Sequence, residues 1–240
     1  MLKLAADRFD PRDGTTHAFT VCGKVLIADI TGSLYWPAER ALLVADLHLE
    51  KGSSHAARGR MLPPYDTRAT LVKLAEAIDR HAPETIIALG DSLHDARAAD
   101  RIEDDDVRII AMLQEGRRWI WITGNHDPKI APSLGGTVCA ELALSGITLR
   151  HAPREARVTH EIGGHLHPSA RISLYGHTIR RPCFIGNGRR LVMPAFGAFT
   201  GGLNVLDKAF DPLFGPDGLN VIVIGQEGLY PIATRLLRPE

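Results

Sequence analysis

Five segments of this chain leave a short apolar stretch and run directly into Asp, Asn or His, and that recurrence constrains the fold more than any other feature. Nine short β-rich runs read as strands: Phe19 to Val21, Lys24 to Ile30, Ala41 to Ala45, Thr85 to Leu89, Trp119 to Ile122, Ile147 to Leu149, Ile172 to Tyr175, Leu191 to Met193 and Leu219 to Ile224. Asp46-Leu47-His48 follows the third run, and Gly90-Asp91 follows the fourth, with His94 three residues on. Gly124-Asn125-His126-Asp127 follows the fifth and His151 the sixth, while Gly164-His165-Leu166-His167 follows a segment around Val158 to Ile162. Between the third and fourth runs a helix is expected, opened by Asp66 as N-cap, with Leu71, Leu74, Ala75 and Ile78 on one face. A second helix is expected from about Asp104 to Gln114, its acidic start suited to the helix dipole and Val107, Ile110, Ala111 and Gln114 sharing a face. The first half therefore reads β-α-β-α-β, and the second as strands punctuated by Gly and Pro. Two sheets packed face to face with helices outside, a layered α/β architecture, accommodate both halves in a single domain over residues 1–240.

Composition excludes more than it selects. A chain of 240 residues, 45% hydrophobic and 23% charged, can bury one sizeable core. Lys plus Arg and Asp plus Glu both total 28, so bulk charge argues for no nucleic-acid, membrane or acidic partner, and any such preference must lie in local patches. Cys22, Cys139 and Cys183 form no CxxC or zinc-ribbon spacing, which points to reduced thiols without a catalytic part. The first residues, MLKLAADRFDPRDG, lack the apolar core of a signal peptide, and no later run approaches membrane-spanning length; a cytoplasmic location is the expectation. Eleven histidines are many, but only their positions give them meaning.

In an extended segment residues two apart point the same way, so Asp46 with His48, and His165 with His167, can each turn two side chains into one cleft. Glycine before such a residue lets backbone approach closely. The combined set offers two carboxylates, four imidazoles and one amide. That is too many donors for one tetrahedral zinc, and suits two five- or six-coordinate cations that share a carboxylate. A DxH or HxH alone is a weak signal; five such groups in this order are not.

In that order the motifs resemble the calcineurin-like metallophosphoesterase superfamily, over about residues 41–170. The resemblance implies a four-layer α-β-β-α sandwich with two mixed β-sheets. It also implies one divalent ion on Asp46, His48, Asp91 and His167 and a second on Asp91, Asn125, His151 and His165, with Asp91 bridging. His151 is preferred to the nearby His160 because it directly follows a strand. Gly90-Asp91-Ser92-Leu93-His94 carries His where many phosphatases have Asp, a variant similar to the DNA double-strand-break repair nucleases. A closer likeness is carried by Leu62-Pro63-Pro64-Tyr65-Asp66-Thr67, Gly163-Gly164-His165-Leu166-His167-Pro168 and Pro194-Ala195-Phe196-Gly197-Ala198-Phe199-Thr200-Gly201-Gly202, which resemble the bacterial DNA-ligase-associated metallophosphoesterases. By that resemblance the expected activity is a manganese-dependent, single-strand-preferring DNA endonuclease and phosphodiesterase that works in nucleic-acid repair alongside a DNA ligase, a helicase and an exonuclease-like protein. Iron or zinc also suits the donor set.

Beyond the ligands, His126 is the expected phosphate contact and proton donor to the departing sugar oxygen, with Asp127 fixing its tautomer and His94 as second candidate. Between Arg150 and Arg190 eight Arg stand against two Glu, which reads either as phosphate tracking or as solvated strand arginines. Lys51, Ser53 and Ser54 could meet a phosphate, though a polar loop would look the same; Trp36, Phe196 and Phe199 could stack bases, but core packing is the favoured reading for each. His17, His55, His81 and His177 are expected at the surface. Two rival functions remain at this level: a phosphomonoesterase or small-nucleotide phosphodiesterase on the same metal core, and a non-catalytic scaffold of the same fold.

Overall fold

A computed structural model describes residues 14–59, 65–155, 160–174, 176–214 and 218–240. Residues 62–64 of the Leu-Pro-Pro-Tyr motif, Val158, Tyr175 and the first thirteen residues lie outside that set.

The first sheet holds β1 (Thr16–Val21), β2 (Lys24–Asp29), β3 (Leu34–Trp36), β4 (Ala41–Val44), β5 (Thr85–Leu89), β6 (Arg118–Ile122) and β7 (Thr137–Cys139), hydrogen-bonded in that order. Neighbours β1 to β4 are antiparallel; β4 to β7 are parallel. Its parallel crossovers carry α1 (Lys51–Ala57) and α2 (Asp66–His81) between β4 and β5, and α3 (Asp104–Gln114) between β5 and β6. The second sheet runs β14 (Leu203–Asn204), β11 (Pro168–Leu174), β12 (His177–Gly186), β13 (Arg190–Val192), β10 (Glu161–Gly163), β9 (Ile147–Arg150) and β8 (Glu141–Leu144). The hairpin of β15 (Asn220–Ile224) and β16 (Leu229–Ile232) joins it through β12. Both sheets are mixed, as the resemblance implies.

The facing sides of the sheets bury one cluster that includes Leu26, Trp36, Leu43, Ile87, Ile122, Leu149, Ile162, Phe184 and Met193. A second cluster packs α2 and α3 on the outer face of the first sheet, through Leu71, Leu74, Ala77, Ile78 and Ile110 against Ile86, Trp119 and Trp121. The outer face of the second sheet is covered by Phe210 and the short α4 (Asp211–Phe214), with Leu213 and Phe214 on Ile185, Val192 and Val223. This layer is thinner than its counterpart.

Local expectations change at Asp66, Phe199 and His81, while Trp36 and Phe196 take the favoured core positions. Asp66 does not cap its own helix: its Oδ2 accepts from Lys51 N (2.8 Å) and Gly52 N (3.1 Å), so it caps α1, which the polar composition of Lys51 to Ser54 had hidden. Trp36 and Phe196 are fully buried core residues, while Phe199 is exposed. The His81 side chain is buried, its Nε2 2.7 Å from Asp29 Oδ2 and its ring stacked on Tyr35.

Burial alone would raise the Asp29 carboxyl, but hydrogen bonds from His81, the Thr31 backbone and Arg80 outweigh it and hold the group at about 2. The depressed folded value means that this contribution to stability is complete above the unfolded carboxylate range near 4 and disappears as pH falls toward 2. Urea midpoints between pH 5 and pH 2.5 should therefore fall more steeply for the wild type than for Asp29→Asn. A contribution of about 2 kcal/mol is expected, and parallel curves for the two proteins would contradict it.

Candidate metal centre

The five polar strand ends meet at one seam between the sheets. Three come from β4, β5 and β6 of the first sheet and two from β9 and β10 of the second. Asp46 Oδ1, His48 Nε2 and His167 Nε2 converge: His167 lies 3.4 Å from Asp46 Oδ1 and 3.3 Å from His48 Nε2. Beside them, Asp91, His151 and His165 form a second group. His151 Nε2 lies 3.3 Å from Asp91 Oδ2, 3.0 Å from His165 Nδ1 and 2.9 Å from Asn125 Oδ1. The structure thus gathers all seven residues expected to be ligands into two adjoining groups; His160 is exposed.

The extended geometry expected of Asp46 to His48 and of His165 to His167 is not what brings them together. Asp46, His48, Asp91, His165 and His167 all have left-handed backbone, with φ of 54°, 45°, 46°, 71° and 46°. Non-glycine residues sit there at a cost of about 1–3 kcal/mol each unless the surroundings enforce it, and such residues cluster at functional sites. The enforcement is visible. Asp46 Oδ2 accepts from His165 N (2.8 Å), Asp91 Oδ1 accepts from His126 N (2.9 Å), and His48 N donates to Asp91 O (2.9 Å). Glycine is required where these strands cross. A Cβ on Gly124 would lie 2.1 Å from Asp91 Oδ1, and one on Gly164 2.4 Å from Asp46 Oδ2.

The donor atoms suit cations. Asp46 is fully buried, yet its Oδ1 accepts no hydrogen bond among the described residues. A buried carboxylate oxygen without a donor is costly unless a cation meets it. His151 donates Nδ1–H to Leu89 O (3.0 Å), which turns the lone pair of Nε2 toward Asp91, Asn125 and His165. Burial and the neighbouring His167 imidazole push His48 down to about 3, and burial likewise lowers His165, so both rings are held in the neutral form that a metal ion requires. His151 is raised, because the Asp91 and Asp46 carboxylates outweigh its burial. Asp91 is held at about 2 by His151 and the His126 backbone against its burial.

The three residues expected to do chemistry are placed differently from one another. His94 and His126 join His48 in a third group at the mouth, the first two rings stacked with centroids 5.5 Å apart. His94 is half-buried with Nδ1 unpartnered among the described residues, and burial, then Lys51, lowers it to about 4. His126 is more open, 41% exposed, with Nε2 3.9 Å from Asp91 Oδ2. Asp127 does not fix its tautomer. Its buried carboxylate accepts from the backbone N–H groups of Asp91, Ser92, Leu93 and Gly124, at 2.6–3.1 Å, so it ties the Asp91 loop to the Asn125 loop. Burial, with Asp91 nearby, pushes this carboxyl up to about 6 against those hydrogen bonds. The tautomer of His126 is set instead by the His94 carbonyl, which accepts from Nδ1–H (2.7 Å). His55 was not expected here: from α1 it stacks on His94 with centroids 5.9 Å apart. The polar run around it carried no sign of this.

A layered pair of mixed sheets, with oxygen and nitrogen donors from both meeting at their strand ends, defines a metal-dependent phosphoesterase. Residues 39–138 match the family model for the calcineurin-like phosphoesterases. Among solved structures the chain is similar to the nuclease MPE of Pseudomonas putida, at 27% identity over 90% of this chain and 100% of that one, with a TM-score of 0.69. It also aligns with YfcE, a phosphoesterase from E. coli, at 13% identity over 80% of this chain and 98% of that one, with a TM-score of 0.42. No curated protein gives a significant match. Residues 39–138 are therefore similar to the calcineurin-like phosphoesterases, and the chain as a whole has the metallophosphoesterase fold.

Proposed function

We propose that the protein is a two-metal phosphodiesterase that cuts single-stranded DNA internally, with manganese as the metal, and that it serves nucleic-acid repair in the cytoplasm in association with DNA ligase, helicase and exonuclease-like proteins. The observation that carries this reading is the open imidazole of His126 at the mouth of the seam, its ring backed by His94 and grouped with His48. A diester leaves as a poor alkoxide and needs a proton donor there, more than a monoester does. The similarity to a solved nuclease over nine-tenths of the chain supports it. The three cysteines are free thiols, which suits a reducing compartment.

In this reading Asp46, His48, Asp91 and His167 hold one cation and Asp91, Asn125, His151 and His165 the other. When bound, the two cations supply Lewis acidity toward the phosphoryl oxygens and bring the pKa of water near neutrality. The chain's own groups do the rest. Asp91 turns one oxygen toward His151 and keeps the other on the His126 N–H, so the loops on either side of it cannot separate. His126, anchored through Nδ1–H, offers Nε2 to the substrate and can hand the sugar oxygen its proton from that atom. His94 backs that ring by stacking, and its carbonyl fixes which nitrogen faces outward.

A covalently closed circle of single-stranded DNA separates this activity from its rivals, because it has no end for an exonuclease or a monoesterase. With manganese the enzyme is expected to convert the circle to linear product. An untouched circle alongside hydrolysis of aryl phosphomonoesters would overturn the diesterase reading, and no turnover of any phosphoester would favour the scaffold.

A further inference from the structure

The short helix α1 is clamped beside the mouth of the seam. Its first two backbone N–H groups, from Lys51 and Gly52, are held by Asp66 Oδ2 at 2.8 Å and 3.1 Å. The loops that follow β4 and β5 run side by side next to it, with Leu49 bridged to Leu93 and His94 N donating to Leu49 O (2.9 Å). His55, one turn along the helix from Lys51, stacks on His94, which stacks in turn on His126. Residues four apart share a face of a helix, so Lys51 and His55 lie on the side of α1 that meets His94. The charge of Lys51 is felt there: after burial, it is the largest influence holding the His94 imidazole down.

Of the three α1 side chains that could meet a phosphate, two are occupied. Ser53 Oγ donates to the Glu50 carbonyl (3.1 Å) and accepts from Arg101 Nε (3.0 Å). Ser54 is buried and bonded to the Asp95 carboxylate, which also pairs with Arg101 at 2.8 Å. Both serines fasten α1 to the segment after His94. Lys51 is different: it is half-buried, and its ammonium has neither a hydrogen-bond nor an ion-pair partner among the described residues. Burial pushes its pKa down, although the Asp66 carboxylate acts the other way through space. Asp66 Oδ2 is already taken by the α1 backbone. An ammonium held partly out of water without a partner is costly, and an anion at the mouth would offset that cost.

We propose that Lys51 binds a backbone phosphate of the substrate strand, flanking the phosphodiester being cut, on the His94 and His126 side of the metal groups. The inference rests on the diesterase reading above and adds a path to it: the strand crosses the imidazoles of His126 and His94 and passes along α1. A lysine is a point charge on a flexible stem, so it can follow a phosphate whose position shifts with the bases on either side. Such a contact positions the strand and reads no sequence.

The test compares Lys51→Ala, Lys51→Arg and wild type on two substrates, an oligodeoxynucleotide and an aryl phosphodiester that has no second phosphate. In Lys51→Ala the KM for the oligonucleotide should rise about threefold to tenfold more than the KM for the aryl diester, the loss of one phosphate contact. Lys51→Arg keeps the charge and should recover most of that difference. A second measurement needs no turnover: binding of a labelled oligonucleotide in chelator across a salt series. The slope of log affinity against log salt should shrink by about 0.7 in the alanine variant. Equal KM changes on the two substrates, or an unchanged salt slope, would overturn the proposal. If the wild type hydrolyses the aryl diester but leaves DNA intact, the nuclease reading fails, and the salt slope still decides whether Lys51 meets a nucleic-acid phosphate.

Discussion

Asp91→Asn should lose metal from both groups at once and reduce phosphodiester turnover by at least about 10³-fold, the scale on which a cation's stabilisation of developing charge disappears. The side chain is nearly isosteric, so the fold should persist. The chemistry differs at both atoms. One oxygen accepts from His126 N and the other faces His151 Nε2 at 3.3 Å, and an amide places an N–H₂ at one of these two places. Whichever way it turns, it loses a charged acceptor, and either clashes with the His126 N–H or presents a donor where His151 and His165 need an anion. Elemental analysis of purified variant and wild type, with circular dichroism as the control for folding, decides the matter. Near-normal metal content together with near-normal turnover would show that Asp91 is not shared between two cations.

The second large effect concerns stability. Glu161 and Arg190 are almost wholly buried, with Arg190 Nε 2.7 Å from Glu161 Oε1, and Arg150 approaches the other carboxylate oxygen at 3.3 Å. The remaining Arg190 nitrogens donate to the carbonyls of Leu213 (2.5 Å) and Arg154 (2.6 Å). Removing the anion from such a pair leaves a guanidinium in the interior without the carboxylate that balances its charge. Glu161→Ala should therefore destabilise by about 3–5 kcal/mol, read as a fall in Tm of roughly 10 °C in a chain of this size. A loss below about 1 kcal/mol would mean that the buried charge finds water in the variant. Glu161 begins β10, two residues before Gly163-Gly164-His165, so loosening here should also reach the second metal group.

The fold was legible wherever burial on both faces made a strand continuously apolar. Thr85 to Leu89 was read to the residue, and Asp104 to Gln114 likewise from its acidic start and helical spacing. Edge strands were missed because half of each meets water: β7 and β8 are mostly exposed or half-buried, and their apolar pattern is too thin to stand out. The long β12 was hidden for the same reason, its first half being exposed and basic. At the site the residue types were legible and their backbone was not. Alternation along an extended segment suggested that Asp46 and His48 face one way, yet the chain coils left-handed through both. Asp127 was read as the partner of its sequence neighbour His126, when four amide groups from other positions claim it. Adjacent residues share a loop but not a direction, and no spacing rule reveals which amide a carboxylate will find. The basic stretch from Arg150 to Arg190 was undecided on sequence because the facing of each arginine is a tertiary property, and the buried pair to Glu161 removes two of them from any surface role.

The left-handed backbone at five of the seven candidate ligands has a consequence for how a cation would be captured. Ligands on relaxed loops must be gathered by the ion, and the entropy of gathering them weakens the binding. Here the ordering is done during folding, when carboxylate–amide bonds between the strand ends and the close approach of Gly124 and Gly164 hold Asp46, His48, Asp91, His165 and His167 in conformations that they would avoid alone. For a receptor ordered in this way before an ion arrives, selectivity among divalent ions would fall to the rigidity of its dimensions, and a distant change in how the two sheets pack would become a change in metal preference.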